Sequence, residues 1–153
     1  ILMRHATAVD SHENTHDYAR ALTTHGRAEA QRQAAFLATQ PCPSCIISSS
    51  ALRTAETAAI IGSAFTQAFT LLLQPELYQA SAEGYLPFLT SLPISMTGVL
   101  MIGHNPAISQ LVDYLSDDNG VNLAPSGLCI LQAPLALSWN ELHRGSLRLQ
   151  RQH

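Results

Sequence analysis

Little of this chain is charged. Asp, Glu, Lys and Arg together make up 12% of its 153 residues, against 46% apolar residues, and the formal net charge is -3. So sparse a charge provides no basic face broad enough to neutralise a run of phosphates, which excludes a nucleic-acid binder of the backbone-clamping kind. Long apolar runs are missing too. None approaches the ~20 residues that a membrane-spanning helix needs, and no charged-then-apolar leader precedes a cleavage-like site. These absences predict a soluble, cytoplasmic protein with no membrane partner. Cysteine is scarce and odd in number, and Cys42, Cys45 and Cys129 have no framework spacing, so a disulfide scaffold is not expected. "PCPSC" does contain C-x-x-C, but it leads into the apolar "CIISS" where a redox motif would open a helix, and it reads as a turn before a strand. A Lys-containing P-loop and a DxD-like carboxylate cluster are also absent, which leaves magnesium no obvious seat. There is no repeat, low-complexity linker or charge block, and the length suits one domain spanning 1–153. Because the first residue is Ile1, a few residues, the start of a strand among them, are expected ahead of it.

What the chain does contain is an alternation of short apolar runs and helical periods. "ILM", "CIIS" and "VLMIG" are too short and too apolar for surface helices and predict buried strands. Ile108, Leu111, Val112 and Leu115 recur at helical spacing, as do Ala82, Tyr85, Leu86 and Leu89, with a weaker stripe at Ala30, Ala34 and Leu37. "ALRTAETAAIIGSAF" adds an alanine-rich helix closed by Gly62. "GLCILQ" and "SLRLQ" predict two further strands, the second alternating as an edge strand does. The expected class is α/β: a three-layer α/β/α sandwich around a mostly parallel central sheet, without a sizeable lid insertion.

Polar residues gather where the buried strands end, which is the edge at which open α/β sheets bind ligands. The first strand ends in Arg4 and His5. The second runs into "SSSALRTAET", whose serines suit a helix cap and whose Arg53 falls near the first helical turn. The later strand runs into "GHNPAIS", where Asn105 suits the cap and Pro106 the first helical position. Two helix N-termini, two arginines and two histidines are thus expected around one pocket. Helix N–H groups and arginine forks both match phosphate oxygens, so the pocket is suited to a phosphoryl group, with protein cations in place of a metal.

In order and spacing, "LMRHA", "LTTHGRAEA", "SSALRTAETA" and "IGHNP" resemble the histidine phosphatase (phosphoglycerate mutase-like) superfamily. Their small-chain form resembles the SixA-type phosphohistidine phosphatases. The resemblance implies that His5 is the nucleophile and that Arg4, Arg53 and His104 surround the phosphate. "ARALTTHG" resembles the family's "RPLT..G" segment, which places Arg20 at the pocket rim. Where the family usually has "RHG", this chain has Ala6 in place of the glycine. Members that cleave esters use a carboxylic acid on the departing oxygen; the nearest candidate here is Glu76 in "PELYQAS", with Glu83 behind it. The implied reaction is metal-independent phosphate hydrolysis through a phosphohistidine intermediate, with no cofactor. The implied substrate is phosphohistidine in a protein, a histidine-phosphotransfer domain being one form of it. A small-molecule phosphate monoesterase on the same scaffold is the alternative, and a non-catalytic phosphate-binding module a lesser one.

Taken singly, the same residues have plainer readings. A lone histidine is more often a satisfied polar group than a catalyst, and a lone arginine more often a solvated charge. His12 and His16 are spaced as H-x-x-x-H for a metal, but "DSHENTHDY" is too polar for a packed helix and reads as a loop near the site mouth. His25, before Gly26, reads as part of a turn. Ser126 and Gly127 precede a strand and are explained by turn chemistry, although they pass close to the expected pocket.

Overall fold

The computed structural model of the chain describes residues 1–10 and 16–153. Each apolar run of the sequence becomes a strand: β1 (Leu2–Arg4), β2 (Cys45–Ser49), β4 (Val99–Gly103), β5 (Leu128–Gln132) and β6 (Arg148–Gln152). The helical periods become α1 (Thr24–Leu37), α2 (Leu52–Gly62), α3 (Ala82–Thr90) and α4 (Ala107–Ser116). A further strand, β3 (Thr70–Gln74), was not foreseen. It is an edge strand with Leu71 and Leu73 exposed, so its apolar residues do not mark a buried run.

The sheet order is β3-β2-β4-β1-β5-β6, with β3, β2, β4 and β1 parallel and the last two strands antiparallel. Every residue of β2 and β4 is buried, as strands covered on both faces must be. Alternation then sorts their side chains. Ile46, Leu100, Ile102 and Met3 pack with Ala34, Leu37, Ala58 and Ile61 of α1 and α2. Ile47, Met101 and Leu2 pack instead with Tyr85 and Leu89 of α3 and with Ile108, Leu111 and Leu115 of α4. This is the three-layer sandwich. The described residues include no helix long and apolar enough to cross a membrane.

The helix starts differ from expectation in an instructive way. The serines before α2 make no side-chain cap on it; Ser49 Oγ accepts instead from the Ala51 N–H at 3.3 Å, one step ahead of the helix. Asn105 is no cap either, since α4 begins at Ala107 and the Asn105 amide donates to Asn122 Oδ1 and the Leu123 carbonyl. His25 and Gly26 lie in the first turn of α1 rather than in a separate turn, and His25 Nε2 sits 3.1 Å from Glu29. Here Thr23 is a true cap, accepting from the Gly26 N–H at 2.8 Å. The Thr23 N–H and hydroxyl also donate to the Thr7 carbonyl, at 3.0 and 3.2 Å. This docks α1 directly onto the segment that follows His5. A Cβ on Gly26 would overlap that same carbonyl, so only glycine permits the approach. Gly26→Ala should therefore destabilise the fold by about 1–3 kcal/mol, as overpacking does. Thermal unfolding would measure it, and an unchanged Tm would refute the close-approach account.

Candidate active site

The register of the sheet brings the site together. Arg4 pairs with Gly103 across β1 and β4, so His5 and His104 leave neighbouring strands at the same level. The His5 N–H donates to the Gly103 carbonyl at 3.1 Å, and the two imidazoles meet edge-on with centroids 5.1 Å apart. Beyond β4, β2 leads through Ser50 into α2, whose second residue is Arg53, only 6% exposed. Arg4, His5, Arg53 and His104 thus gather at the carboxyl edge of the parallel strands. An apolar cavity beside Met96, Leu135 and Trp139, about 380 Å³, lies past the opposite strand ends and is lined by no titratable group.

Two contacts fix the tautomer of His5. Its Nδ1 lies 2.7 Å from the Ala6 carbonyl, which can only accept, so Nδ1 carries the proton. Arg53 Nε–H donates to Nε2 at 3.2 Å, which requires a lone pair there. The unprotonated nitrogen therefore faces the arginine. Thr57, one helical turn after Arg53, steadies the neighbouring backbone by accepting from the Ala6 N–H at 3.2 Å. Glu29 and Glu56 brace the same loop through the N–H groups of Thr7 and Leu22.

Asp17 and Tyr78 belong to this network and were not foreseen. Arg53 Nη1 donates to the Asp17 carbonyl at 2.6 Å and Nη2 to Asp17 Oδ2 at 3.0 Å. Tyr78 donates to the same Oδ2 at 2.5 Å, and Arg20 Nη1 reaches Oδ1 at 2.7 Å. The available signal for Asp17 was its i, i+3 spacing from Arg20; its polar surroundings masked it as ordinary loop. Arg20 thus joins the cluster through a carboxylate. Glu76 lies two residues before Tyr78 on a short turn, is exposed, and takes no part in the hydrogen bonds of the site. His16 is exposed beside Asp17, whereas His12 lies outside the described residues. Cys42 and Cys45 sit at a turn entering β2, as expected, and all three cysteines are free.

Burial is the main cause that lowers His5 to about 4, with the Arg53, Arg4 and Arg20 cations adding to it against the Ala6 hydrogen bond. Burial likewise lowers His104 to about 3, helped by His5 and Arg53 and opposed by Asp17. Asp17 is held well below the usual carboxylate range by the Tyr78 and Arg20 hydrogen bonds, with Arg53 adding to them. Both imidazoles are therefore neutral at pH 7, with cations around them.

Among the described residues, four side-chain polar atoms are buried without a hydrogen-bond partner: Arg4 Nε, both ring nitrogens of His104, and Ser126 Oγ. Such groups cost roughly 1–3 kcal/mol each and call for a reason. Arg4 Nη1 is tied to the Leu123 carbonyl at 3.0 Å, and the Ser126 N–H donates to the His5 carbonyl at 3.0 Å, so all four belong to the His5 neighbourhood. Beside Arg4 runs an open groove of about 600 Å³ lined by Asn105, Pro106, Ser109, Gln110, Val121 and Asn122.

The arrangement is a basic cluster with unanswered donors set around an unprotonated imidazole nitrogen. The comparisons with known proteins specify the class further. Residues 1–83, just over half of the chain, match the family model described as histidine phosphatase superfamily (branch 1), and the chain belongs to that superfamily. No curated protein matches it. Among solved structures, one described as a phosphohistidine phosphatase SixA from Agrobacterium tumefaciens superposes with a TM-score of 0.85 at 25% identity, covering 99% of this chain and 94% of that one. The protein histidine phosphatase SixA in complex with tungstate gives 0.81 at 23%, covering 98% and 92%. A mycobacterial glucosyl-3-phosphoglycerate phosphatase gives 0.70 at 16%, covering 96% and 94%, a likeness of fold alone.

The lowered histidines have a pH signature. Between pH 6.5 and about 4 the unfolded chain binds protons at His5 that the folded chain does not, so the stability these neutral rings contribute is lost as pH falls through that window. The carboxylate of Asp17 adds a further loss below its ordinary value of 3.8. Ring titration by NMR should show His5 and His104 changing charge as a coupled pair near about 4 and 3. A midpoint near 6.5 for either would contradict the buried, cation-flanked geometry.

Proposed function

We propose that the chain is a metal-independent phosphohydrolase that removes phosphate from phosphohistidine in a protein, through a phosphohistidine intermediate at His5. The observation that carries this reading is the orientation of His5: Nδ1 is tethered to the Ala6 carbonyl, and Nε2 presents its lone pair among Arg53, Arg4 and His104. Nε2 attacks phosphorus, its new P–N bond replacing the bond from phosphorus to the substrate nitrogen. The three non-bridging oxygens meet Arg53 and the unpartnered donors of Arg4 and His104, which are in place before charge develops. Water then attacks the phosphoenzyme, releasing inorganic phosphate and restoring the lone pair. His5 is kept neutral, which is the form that can attack.

The leaving group favours phosphohistidine over an ester. A departing alkoxide needs a nearby acid, and Glu76 is exposed and outside the hydrogen-bonded network. A departing imidazole, with an ordinary pKa of about 6.5, leaves already protonated and needs no such help. The phosphohistidine phosphatases among the structural neighbours support this reading at the level of fold and family. The partner would be a phosphorylated protein whose phosphohistidine reaches the strand ends, with the groove beside Arg4 available to its flanking chain.

His5→Ala should lower turnover at least about a thousandfold and abolish acid-labile labelling of the enzyme, while the protein still folds cooperatively. Near-wild-type activity would remove His5 as nucleophile. The wild-type protein should act on a phosphohistidine protein far faster than on alkyl phosphates and should keep its activity in EDTA, since arginines offset the phosphate charge. Rapid sugar-phosphate turnover that Glu76→Gln abolishes would favour the monoesterase reading instead.

A further inference from the structure

Arg53 is a buried cation with two tasks that compete for one planar group. Its Nε–H points at the His5 nitrogen that must attack, while Nη1 and Nη2 are both committed to Asp17, at 2.6 and 3.0 Å. A guanidinium has five donors in a rigid plane, so fixing Nη1 and Nη2 also fixes the direction of Nε–H. Asp17 is itself held by Arg20 Nη1 at 2.7 Å and by the Tyr78 hydroxyl at 2.5 Å, and Arg20 Nε is tied to the Val9 carbonyl at 2.6 Å. Tyr78 also packs edge-on against His104, with ring centroids 5.6 Å apart, and the Arg53 guanidinium carbon lies 5.7 Å from the Tyr78 ring centroid. The carboxylate is therefore locked from sides that do not face His5.

We infer that Asp17 is a positioning residue for phosphoryl transfer, holding the Arg53 fork so that Nε–H stays directed at His5 Nε2 before attack and at a phosphoryl oxygen after it. The inference rests on the phosphatase reading above. Its logic is that an arginine free to rotate would give its paired Nη donors to the incoming phosphate and swing away from the reacting nitrogen. With one N–H of each Nη engaged by Asp17, the guanidinium is kept from rotating away, and Nε–H, the donor nearest the P–N bond, meets the phosphate. A negative charge beside an anion site is otherwise hard to explain, because on charge alone it weakens phosphate binding.

That opposition makes the role testable. Asp17→Asn keeps the shape and removes the charge. It should lower kcat by about 10–100-fold, the scale of a misplaced catalytic group, while inorganic phosphate binds as tightly as before or more tightly. The Arg53 Nε–H resonance should be protected from exchange in the wild type and should lose that protection in Asp17→Asn. Tyr78→Phe, which removes one hydrogen bond and leaves the carboxylate, should have a smaller effect in the same direction. Unchanged kcat in folded Asp17→Asn would overturn the inference, and a raised kcat would do so too by making Asp17 a competitor of phosphate. A parallel loss of kcat and phosphate binding would instead mark it as a structural brace. His5→Ala separates the two levels: if it is inactive while Asp17→Asn is normal, the phosphatase reading stands and only the positioning role falls.

Discussion

A guanidinium buried to 6% exposure must be answered on every side, and the way Arg53 is answered organises this site. One donor goes to the imidazole of His5 and the other end of the fork to Asp17. Neither contact is local. Asp17 arrives from the long connection between β1 and α1, Arg53 from the start of α2, and Tyr78 from the turn after β3. Two connecting segments and a helix start are thereby held at the same edge of the sheet.

The electrostatic consequence is a cluster built largely from neutral and cationic groups in a partly desolvated place. Burial keeps His5 and His104 uncharged, and the arginines beside them oppose protonation further. An imidazole in that setting keeps its lone pair, and the cations around it face whatever negative charge enters. The remaining unanswered donors, Arg4 Nε and the His104 ring, lie in the same neighbourhood, so one incoming group with several acceptor oxygens would satisfy them together.

The scaffold keeps the residues close through packing rather than through the site itself. Gly26 lets α1 lie on the Thr7 carbonyl, and Gly103 leaves room for the Tyr85 ring, whose hydroxyl donates to the Leu77 carbonyl and accepts from the His104 N–H. Tyr85 is fully buried. A single phenol thus links α3, the turn bearing Tyr78 and the strand end bearing His104.

What the sequence by itself determined is considerable where the signal is periodic or motif-like. The apolar runs at Leu2–Arg4, Cys45–Ser49 and Val99–Gly103 and the helical stripe at Ile108, Leu111, Val112 and Leu115 are local patterns of burial, and the residues that follow those strands necessarily share an edge. Arg4, His5, Arg53 and His104 were legible for that reason. The strand Thr70–Gln74 was not, because an edge strand exposes Leu71 and Leu73 and leaves no run of burial to read. Nor were Asp17 and Tyr78, whose partners lie 36 and 61 residues away in the chain. Side-chain direction, the choice of proton on His5 and the outward place of Glu76 depend on where distant backbone segments stand in space, and only tertiary structure decides that.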